Sequence, residues 1–377
     1  MRLENLKLGN FRNYQQLEMS FDNPINIFIG QNGQGKTNLL ESIALAVGGL
    51  PFRAVDPEQF VLKGQKDARI HASLESGGST DQVKVQLTQD KKQFLLNEKK
   101  ISRTVLWKKF GAVAFSPESL KVVKSGPSER RSMIDEMIVS SDPQLWSLYA
   151  SYQRCVKQRN FLLKAFRNNS ASKEERVVLE NLTETLLKTG AQIAFMRIQF
   201  LRKMTPNFKR HFSHIIDNQN VDIAVDYSIS EQSAIAWDEN QVYDALRSRQ
   251  KELAQAEISL GQSLVGPHKH DLIFLYQNED ARFFCSQGQQ RSIVLAAKIA
   301  HIEIFRDRRG HTPLLLLDDV LSELDETRRR KLIEVLVKLE TTIYLTTTEI
   351  ENCRDFDSKS ISTFRIASGV VKKEGWK

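Results

Sequence analysis

Eight consecutive residues, Gly30-Gln31-Asn32-Gly33-Gln34-Gly35-Lys36-Thr37, narrow the possible folds more than any other part of the chain. They match G-x-x-x-x-G-K-[ST], follow the apolar run Ile25 to Ile29 and precede a helix-like stretch over 38–47. That strand, loop and helix order is the context a phosphate-binding loop requires. Glycines at 30, 33 and 35 let the backbone turn tightly, so that amide hydrogens and a helix N-terminus face an anion. Lys36 would bring a point charge to the β- and γ-phosphates of a nucleotide, and the Thr37 hydroxyl would ligate the accompanying magnesium. The plain alternative is a glycine-rich turn that happens to hold a lysine, and the flanking strand and helix argue against it.

A second segment points the same way. Four leucines after Pro313 make a continuous apolar run, the mark of a strand buried on both faces, and it ends in Asp318 and Asp319. Carboxylates at the C-terminal end of a buried strand usually face a ligand. Asp318 is placed to hold magnesium, directly or through water, and Asp319 to orient or deprotonate an attacking water. Without the upstream loop, an acidic solvated turn would be the better reading.

At 377 residues the chain is long enough for about two domains with sizeable cores. No N-terminal apolar signal region and no apolar run near the roughly 20 residues needed to span a bilayer is visible, so a soluble, cytoplasmic protein with no membrane contact is expected. Cys155, Cys285 and Cys353 are far apart and lack metal-ligand spacing, which reads as reduced thiols. The formal charge of +8 is regional: 151–210 holds 13 Lys and Arg against 4 Glu. A second cluster surrounds Lys91, Lys92, Lys99, Lys100, Arg103, Lys108 and Lys109. Concentrated charge of this kind suits a nucleic acid backbone, with Arg154, Lys157 and Arg159 as candidate phosphate contacts, although a solvated helix face has the same composition.

The order of elements is sheet first, then helix. Short alternating runs such as 17–21 lead into the loop, and 70–74 and 83–87 alternate on either side of a Gly77-Gly78-Ser79-Thr80 turn. The run 111–115 reads as a further buried strand. From Asp142 long helices follow, free of Gly and Pro after Pro143 until Gly190 and Pro206. Leu179, Leu182, Leu186, Thr189, Ile193, Met196 and Phe200 step by three and four as a heptad seam, implying two packed helices. The chain should turn at 168–171, with Ser172 and Glu175 as a capping box opening the second helix. About thirty residues at 1.5 Å each would give an arm of roughly 45 Å, either projecting or folded back on the core.

Helix signals return over 238–259, and 271–276 reads as a strand. A helix over 289–305 opens directly after the polar turn Ser286-Gln287-Gly288-Gln289, so its N-terminus is a second place to receive a phosphate. One phosphate loop and two phosphate-facing helix starts are most economically satisfied by two chains head to tail, each completing the other's site.

These segments, with Ser322-Glu323-Leu324-Asp325, resemble an ABC-type ATPase head of the SMC class. Phe11-Arg12-Asn13-Tyr14, Phe115-Ser116-Pro117-Glu118-Ser119-Leu120, Gly126-Pro127-Ser128-Glu129-Arg130-Arg131 with Asp135, and Val265-Gly266-Pro267-His268 extend the resemblance to the RecF family over nearly the whole chain. The fold class implied is α/β: a P-loop ATPase head with a helical lobe inserted between Walker A and Walker B. Residues 1–120 and 306–377 would form the ATPase lobe, and 121–305 a second lobe with the arm and signature. The resemblance implies a weak, DNA-linked ATPase of recombinational repair and replication-fork maintenance, dimerising on ATP and magnesium. Single-stranded, double-stranded and gapped DNA would be bound, and RecA loaded with the help of RecO and RecR. It places Lys36 and Thr37 in Walker A, Asp318 in Walker B, Ser286 with Gly288 and Gln289 in the signature, Asp325 in the D-loop, and Arg12 near the phosphates.

Three departures from the wider ABC pattern stand out. Asp319 occupies the place of the usual glutamate, Thr348 the place of the usual histidine, and no Q-loop glutamine is evident near 115–118. RecF proteins share the first two. A weaker water-orienting set should make hydrolysis slow, a timer and not a motor. After His268 comes Lys269-His270, where many RecF chains have a basic then an acidic residue. Two other classes compete. An ABC-type nuclease of the overcoming-lysogenisation kind would need a C-terminal catalytic domain for which about thirty residues after Thr347 are too few. A transporter's energising subunit is opposed by the basic helical insertion and by Thr348.

Overall fold

The computed structural model describes residues 1–49, 52, 56–168, 172–357 and 360–375. Most of the turn expected at 168–171 therefore lies outside the described residues. In chain order the elements are β1 (Arg2–Phe11), β2 (Tyr14–Ser20), β3 (Ile25–Ile29), α1 (Lys36–Ala46), β4 (Asp67–Ser76), β5 (Ser79–Thr88), β6 (Lys92–Leu96), β7 (Lys99–Ile101), α2 (Arg103–Lys109) and β8 (Ala112–Phe115). Then come α3 (Pro127–Ser141), α4 (Trp146–Arg167), α5 (Lys173–Ile215), β9 (Ile223–Ile229), β10 (Gln232–Ser233), α6 (Glu239–Leu260), β11 (Asp271–Tyr276), β12 (Glu279–Asp280), α7 (Ala281–Phe284) and α8 (Gln287–Arg309). The chain ends with β13 (Leu314–Asp318), α9 (Glu326–Lys338), β14 (Ile343–Thr347), β15 (Ile361–Ala367) and β16 (Val370–Glu374).

Two compact units result. The first is 1–121, 211–219 and 294–377, and the second is 122–210 and 220–293. The lobe expected over 121–305 is narrower than that, because 211–219 and the C-terminal part of α8 from Val294 belong to the first unit. The run Val294 to Ala297 of that helix is wholly buried, as the interior of a two-sided helix must be.

The first unit holds two sheets. One is antiparallel in the order β2-β1-β4-β5-β6-β7, and the other runs β16-β15-β3-β14-β13-β8, parallel except for its β16 edge. The parallel strands β3, β13 and β14 are buried at every position, which is why they read as unbroken apolar runs instead of alternating. Helix α1 lies against β1, β4 and β5 and also against β13 and β14, filling the core between the sheets. Phe21, Phe28, Tyr344 and Phe364 stack there, with Phe21 edge-on to the other three at 5.1 to 6.3 Å between centroids. Because β3 and β13 are central and parallel, their C-terminal ends meet at one rim of the sheet.

The second unit packs helices with the sheet β10-β9-β11-β12. Helix α5 runs 43 residues without stopping at Gly190 or Pro206, longer than the arm read from sequence. Packing overrides the breakers: a Cβ on Gly190 would lie 3.0 Å from Pro267 Cδ, and Met204 and Phe208 around Pro206 have no exposed surface. The capping box is present, with Ser172 N donating to Glu175 Oε2 at 2.8 Å and Glu175 N to Ser172 Oγ at 3.2 Å. Leu186, Ile193 and Phe200 of the seam are buried, but so are Ala191, Ala194, Ile198 and Leu201. That wider stripe matches three packed helices instead of two, since α4 packs against α6 and bonds to α5 as well.

A buried polar network locks this unit. Arg197 donates to both carboxylate oxygens of Asp135 at 2.7 and 2.8 Å and to Tyr227 Oη at 3.1 Å. Arg130 grips Asp271 in the same two-pronged way at 2.7 and 2.9 Å. With Arg197, the cation acting most strongly on position 270, neutralised by Asp135, that position needs no carboxylate. His270 Nδ1 lies 2.9 Å from Tyr227 Oη, and His268 Nδ1 lies 2.7 Å from Tyr152 Oη. Burial holds His268 down at about 4, and burial, helped by Arg197, holds His270 well below the ordinary histidine range. The unfolded chain therefore binds more protons below about pH 6.5, so stability is full above that pH and is lost as pH falls toward 4. The slope reaches about 1.4 kcal/mol per pH unit for each histidine. We expect the melting temperature to fall between pH 7 and pH 5, and His270→Asn to flatten that fall; a curve flat over this window in the parent protein would refute the assignment.

Candidate nucleotide site

At the rim where β3 ends, the chain enters the glycine loop. Gly33 and Gly35 take φ of 81° and 110°, conformations that L side chains rarely adopt. A Cβ on Gly35 would also come within 2.4 Å of the Asn13 amide. That close approach is used: Asn13 Nδ2 donates to Gln34 O at 3.1 Å, Asn38 Nδ2 donates to Asn13 Oδ1 at 2.8 Å, and Tyr14 Oη donates to Gly35 O at 3.0 Å. On the other side the Ser368 amide donates to Gln34 Oε1 at 2.5 Å. The loop is thus braced by the β1–β2 turn and by the β15–β16 turn. Gly35 caps α1, and Lys36 folds back so that Nζ donates to Gly30 O at 2.5 Å and Gln31 O at 3.0 Å. Burial lowers the Lys36 pKa, and Asp319 and Asp318 oppose that shift.

The end of β13 faces the same helix start. Thr37 Oγ1 lies 2.8 and 2.9 Å from the two oxygens of Asp318, and Thr346 Oγ1 donates to Asp318 Oδ1 at 2.8 Å while accepting the Asp319 amide at 2.9 Å. Burial pushes the Asp318 pKa up; the two threonine hydroxyls pull it down, and Asp319 and Glu118 add to the rise. This is a carboxylate in want of a cation. Asp319 adopts φ of 50°, and its Oδ1 is buried with no hydrogen-bond partner among the described residues.

Arg12 closes the far wall. Its φ is 54°, its guanidinium meets Glu41 Oε2 at 2.8 Å and Gln59 O at 2.9 Å, and it lies over the Phe60 ring at 4.6 Å. Arg12, Asn32, Gly33, Gly35, Lys36, Thr37, Asp318 and Asp319 line one cleft of about 390 Å³. Gly30, Gln31 and Gln34 build its loop from behind. Thr348 follows β14 half-buried and is not among the lining residues. Sequence reasoning missed Glu41, Glu118 and Thr346. Glu118 stands in the segment searched for a glutamine, and Thr346 sits one strand over at the register partner of Asp318, so only strand pairing could reveal it.

The remaining candidates lie elsewhere. Ser286, Gly288 and Gln289 belong to the second unit. Ser286 N donates to Gln289 Oε1 at 2.8 Å and Gln289 N to Ser286 Oγ at 3.3 Å, a reciprocal cap at the start of α8. Asp325 caps α9, accepting from Arg328 N at 2.9 Å. Arg154 and Lys157 are exposed on α4. Arg159 is not: it is 2% exposed, bonded to Thr183, Ser263 and Glu257 at 2.9, 2.9 and 2.5 Å, and so is withdrawn as a phosphate contact. Its i+5 spacing from Arg154 places it on the inner face of α4.

Residues 2–368 match the model of the RecF/RecN/SMC N terminal domain, and the chain is 32% identical over 380 residues to the DNA replication and repair protein RecF of Alkaliphilus oremlandii, covering 98% of this chain and all of that one. This chain belongs to the RecF family. The RecF of Listeria monocytogenes is equally similar, 32% identical over 378 residues, with 99% and 100% of the two chains covered. A solved structure of the recombination mediator protein RecF with ATPrS in the RecFOR pathway superposes with a TM-score of 0.87 at 28% identity, covering 99% of this chain and 98% of the other. An Smc head from Pyrococcus furiosus shares the fold, with a TM-score of 0.54 at 14% identity. The RecF architecture is thus an ABC-type ATPase head of mixed α/β class. Among the described residues, no helix is long and apolar enough to cross a membrane.

Proposed function

We propose that the chain is an ATP-gated DNA-binding protein of recombinational repair, in which ATP joins two copies and slow hydrolysis releases them. The observation that carries the reading is the direct pairing of Thr37 Oγ1 with Asp318 at 2.8 and 2.9 Å beneath the glycine loop, where a buried carboxylate from the end of β13 and a hydroxyl from the start of α1 converge. That donor set fits magnesium, which takes one or two carboxylates together with substrate phosphates. When bound, the ion would neutralise charge developing on the β- and γ-phosphates.

The chain's own residues do the rest. Lys36 exchanges the carbonyls of Gly30 and Gln31 for phosphate oxygens, and the amides of the loop and of the start of α1 face the same oxygens. Asp319, with its unsatisfied Oδ1, is placed to accept a proton from an attacking water or to orient it. Glu118, on the same cleft, takes the place left open by the missing glutamine. Arg12 balances Glu41 at the outer wall. Thr348 and Asp325 would complete the site at its mouth, and the capped turn Ser286-Gln287-Gly288-Gln289 would present its helix N-terminus to the γ-phosphate held by a second copy. By kinship with RecF of the RecFOR pathway, the partners are RecR and RecO and, through them, RecA, with gapped, single-stranded and double-stranded DNA as substrates and the cytoplasm as the place of action. Arg154 and Lys157 remain candidate phosphate contacts.

The test is molar mass by light scattering with and without ATP and magnesium, for the parent chain and for Ser286→Arg. The parent mass should double on ATP and stay doubled over many seconds. The variant should bind ATP with unchanged affinity and remain a monomer, because arginine at the cap would fill the space for the phosphate. A variant that dimerised normally would end the shared-site reading.

A further inference from the structure

From Lys91 to Lys109 the chain carries seven Lys and Arg against a single acid, Glu98. The segment comprises β6, β7 and α2, all in the first unit. The fold ties the tip of its hairpin to the end of its helix. Asn97 and Glu98 at the hairpin tip take φ of 48° and 66°, so the strands reverse in two residues. Asn97 Nδ2 donates to Asp81 Oδ1 at 2.9 Å, and the other oxygen of Asp81 pairs with Lys109 Nζ at 2.6 Å at the end of α2. One carboxylate, 4% exposed, therefore draws the hairpin tip and the helix end together.

The charges left over are of one sign. Glu98 is taken by Lys84 of β5, and Arg103 is engaged with Gly48 O at 2.8 Å and the Trp107 ring. Lys91, Lys92, Lys99, Lys100 and Lys108 are exposed, and among the described residues no carboxylate pairs with any of them. Some surface cations elsewhere in this unit find partners, as Lys7 does with Glu18, Arg69 with Asp67, Arg365 with Glu374 and Lys373 with Asp22, while Lys63, Lys66, Lys338 and Lys372 are exposed without a carboxylate among the described residues but are not clustered in sequence as 91–109 is. Lysines on an edge strand also discourage strand-to-strand association, but that explains only Lys99 and Lys100 of β7. Lys91 and Lys108 lie off that edge. The patch also reaches the nucleotide cleft, since Lys92 Nζ lies 4.6 Å from the centroid of the same Phe60 ring that Arg12 covers.

We propose that this sheet edge, with the adjoining end of α2, is a phosphodiester-binding surface for duplex DNA, with Lys91, Lys99, Lys100 and Lys108 on backbone phosphates spaced along it and Lys92 joining the track to the cleft wall. The proposal rests on the reading of the chain as a DNA-binding protein and adds a second site to the one on α4. Such contacts are blind to sequence and release counterions, so each leaves its mark on the salt dependence of binding.

The experiment measures duplex affinity by fluorescence anisotropy between 50 and 200 mM salt, with ATP and magnesium, for the parent, for Lys91, Lys99, Lys100 and Lys108 changed together to Gln, and for Arg154→Glu with Lys157→Glu. About 0.9 in log–log slope is expected per phosphate contact, so the four-lysine variant should lose roughly 3 to 4 in slope. Its ATP affinity and melting temperature should match the parent, because all four side chains are exposed. A parent that binds the duplex while the four-lysine variant keeps the parent slope would overturn the surface alone. A parent that binds no duplex at any salt would overturn the DNA-binding reading and this surface with it.

Discussion

Lys36→Ala is expected to weaken ATP binding about a hundredfold or more and to abolish the ATP-dependent dimer. The ammonium is mostly buried, and in the absence of nucleotide it is held by Gly30 O and Gln31 O. Exchanging those carbonyls for charged phosphate oxygens strengthens each bond, at about 1.5 to 3 kcal/mol per charge-assisted contact, and two contacts of that size amount to at least two decades in affinity. The loop itself should survive, since it is braced by Asn13, Tyr14 and Ser368 and not by the lysine. Titration calorimetry with ATP and magnesium checks the affinity, and light scattering checks the mass. Retention of parent affinity would mean that the cleft is not the nucleotide site.

Arg159→Ala should lower folding stability by about 3 to 5 kcal/mol while leaving the salt dependence of DNA binding unchanged. Arg159 and Glu257 are 2% and 1% exposed and meet at 2.5 Å, and Glu257 also accepts the Leu264 amide at 2.7 Å. Removing the guanidinium strands a buried carboxylate, which is the costly half of breaking such a pair. Denaturant unfolding and a DNA titration below the variant's melting temperature separate the two effects. A stable variant with a flatter salt slope would return Arg159 to the DNA surface.

Arg159 shows where reading a sequence stops. Its charge was visible and its direction was not, because the partner that buries it comes from α6, nearly a hundred residues on. Elements with a local cause were legible: the phosphate loop, the Ser172–Glu175 cap, the buried strand ending in Asp318, and the alternating strands about Gly77. Elements decided by distant packing were not. Helix α5 passes Gly190 and Pro206 because neighbours accept the one and bury the flanks of the other. Thr346 joins the site only through the parallel pairing of β13 with β14, and Glu118 only because β8 is the next strand along. The histidine at 270 has no explanation in sequence for the same reason: the acid that neutralises Arg197, the cation acting most strongly on it, is Asp135, over a hundred residues away, so a neutral ring can stand there.

The left-handed turn at Asp319 has a consequence for how this site could change. Conformations of that kind are tolerated by glycine, asparagine and aspartate, whose short side chains bond locally, and are strained for longer ones. The amide of Asp319 is pinned to Thr346 and its neighbour Asp318 to Thr37, so the backbone has little room to relax. A glutamate, the usual occupant in ABC heads, would have to bear that strain to gain one methylene of reach. The short carboxylate is thus matched to the main-chain shape, and a longer one would meet a modest backbone cost here and no bar, since Arg12, Glu98, Glu231 and Glu340 hold the same conformation elsewhere in the chain.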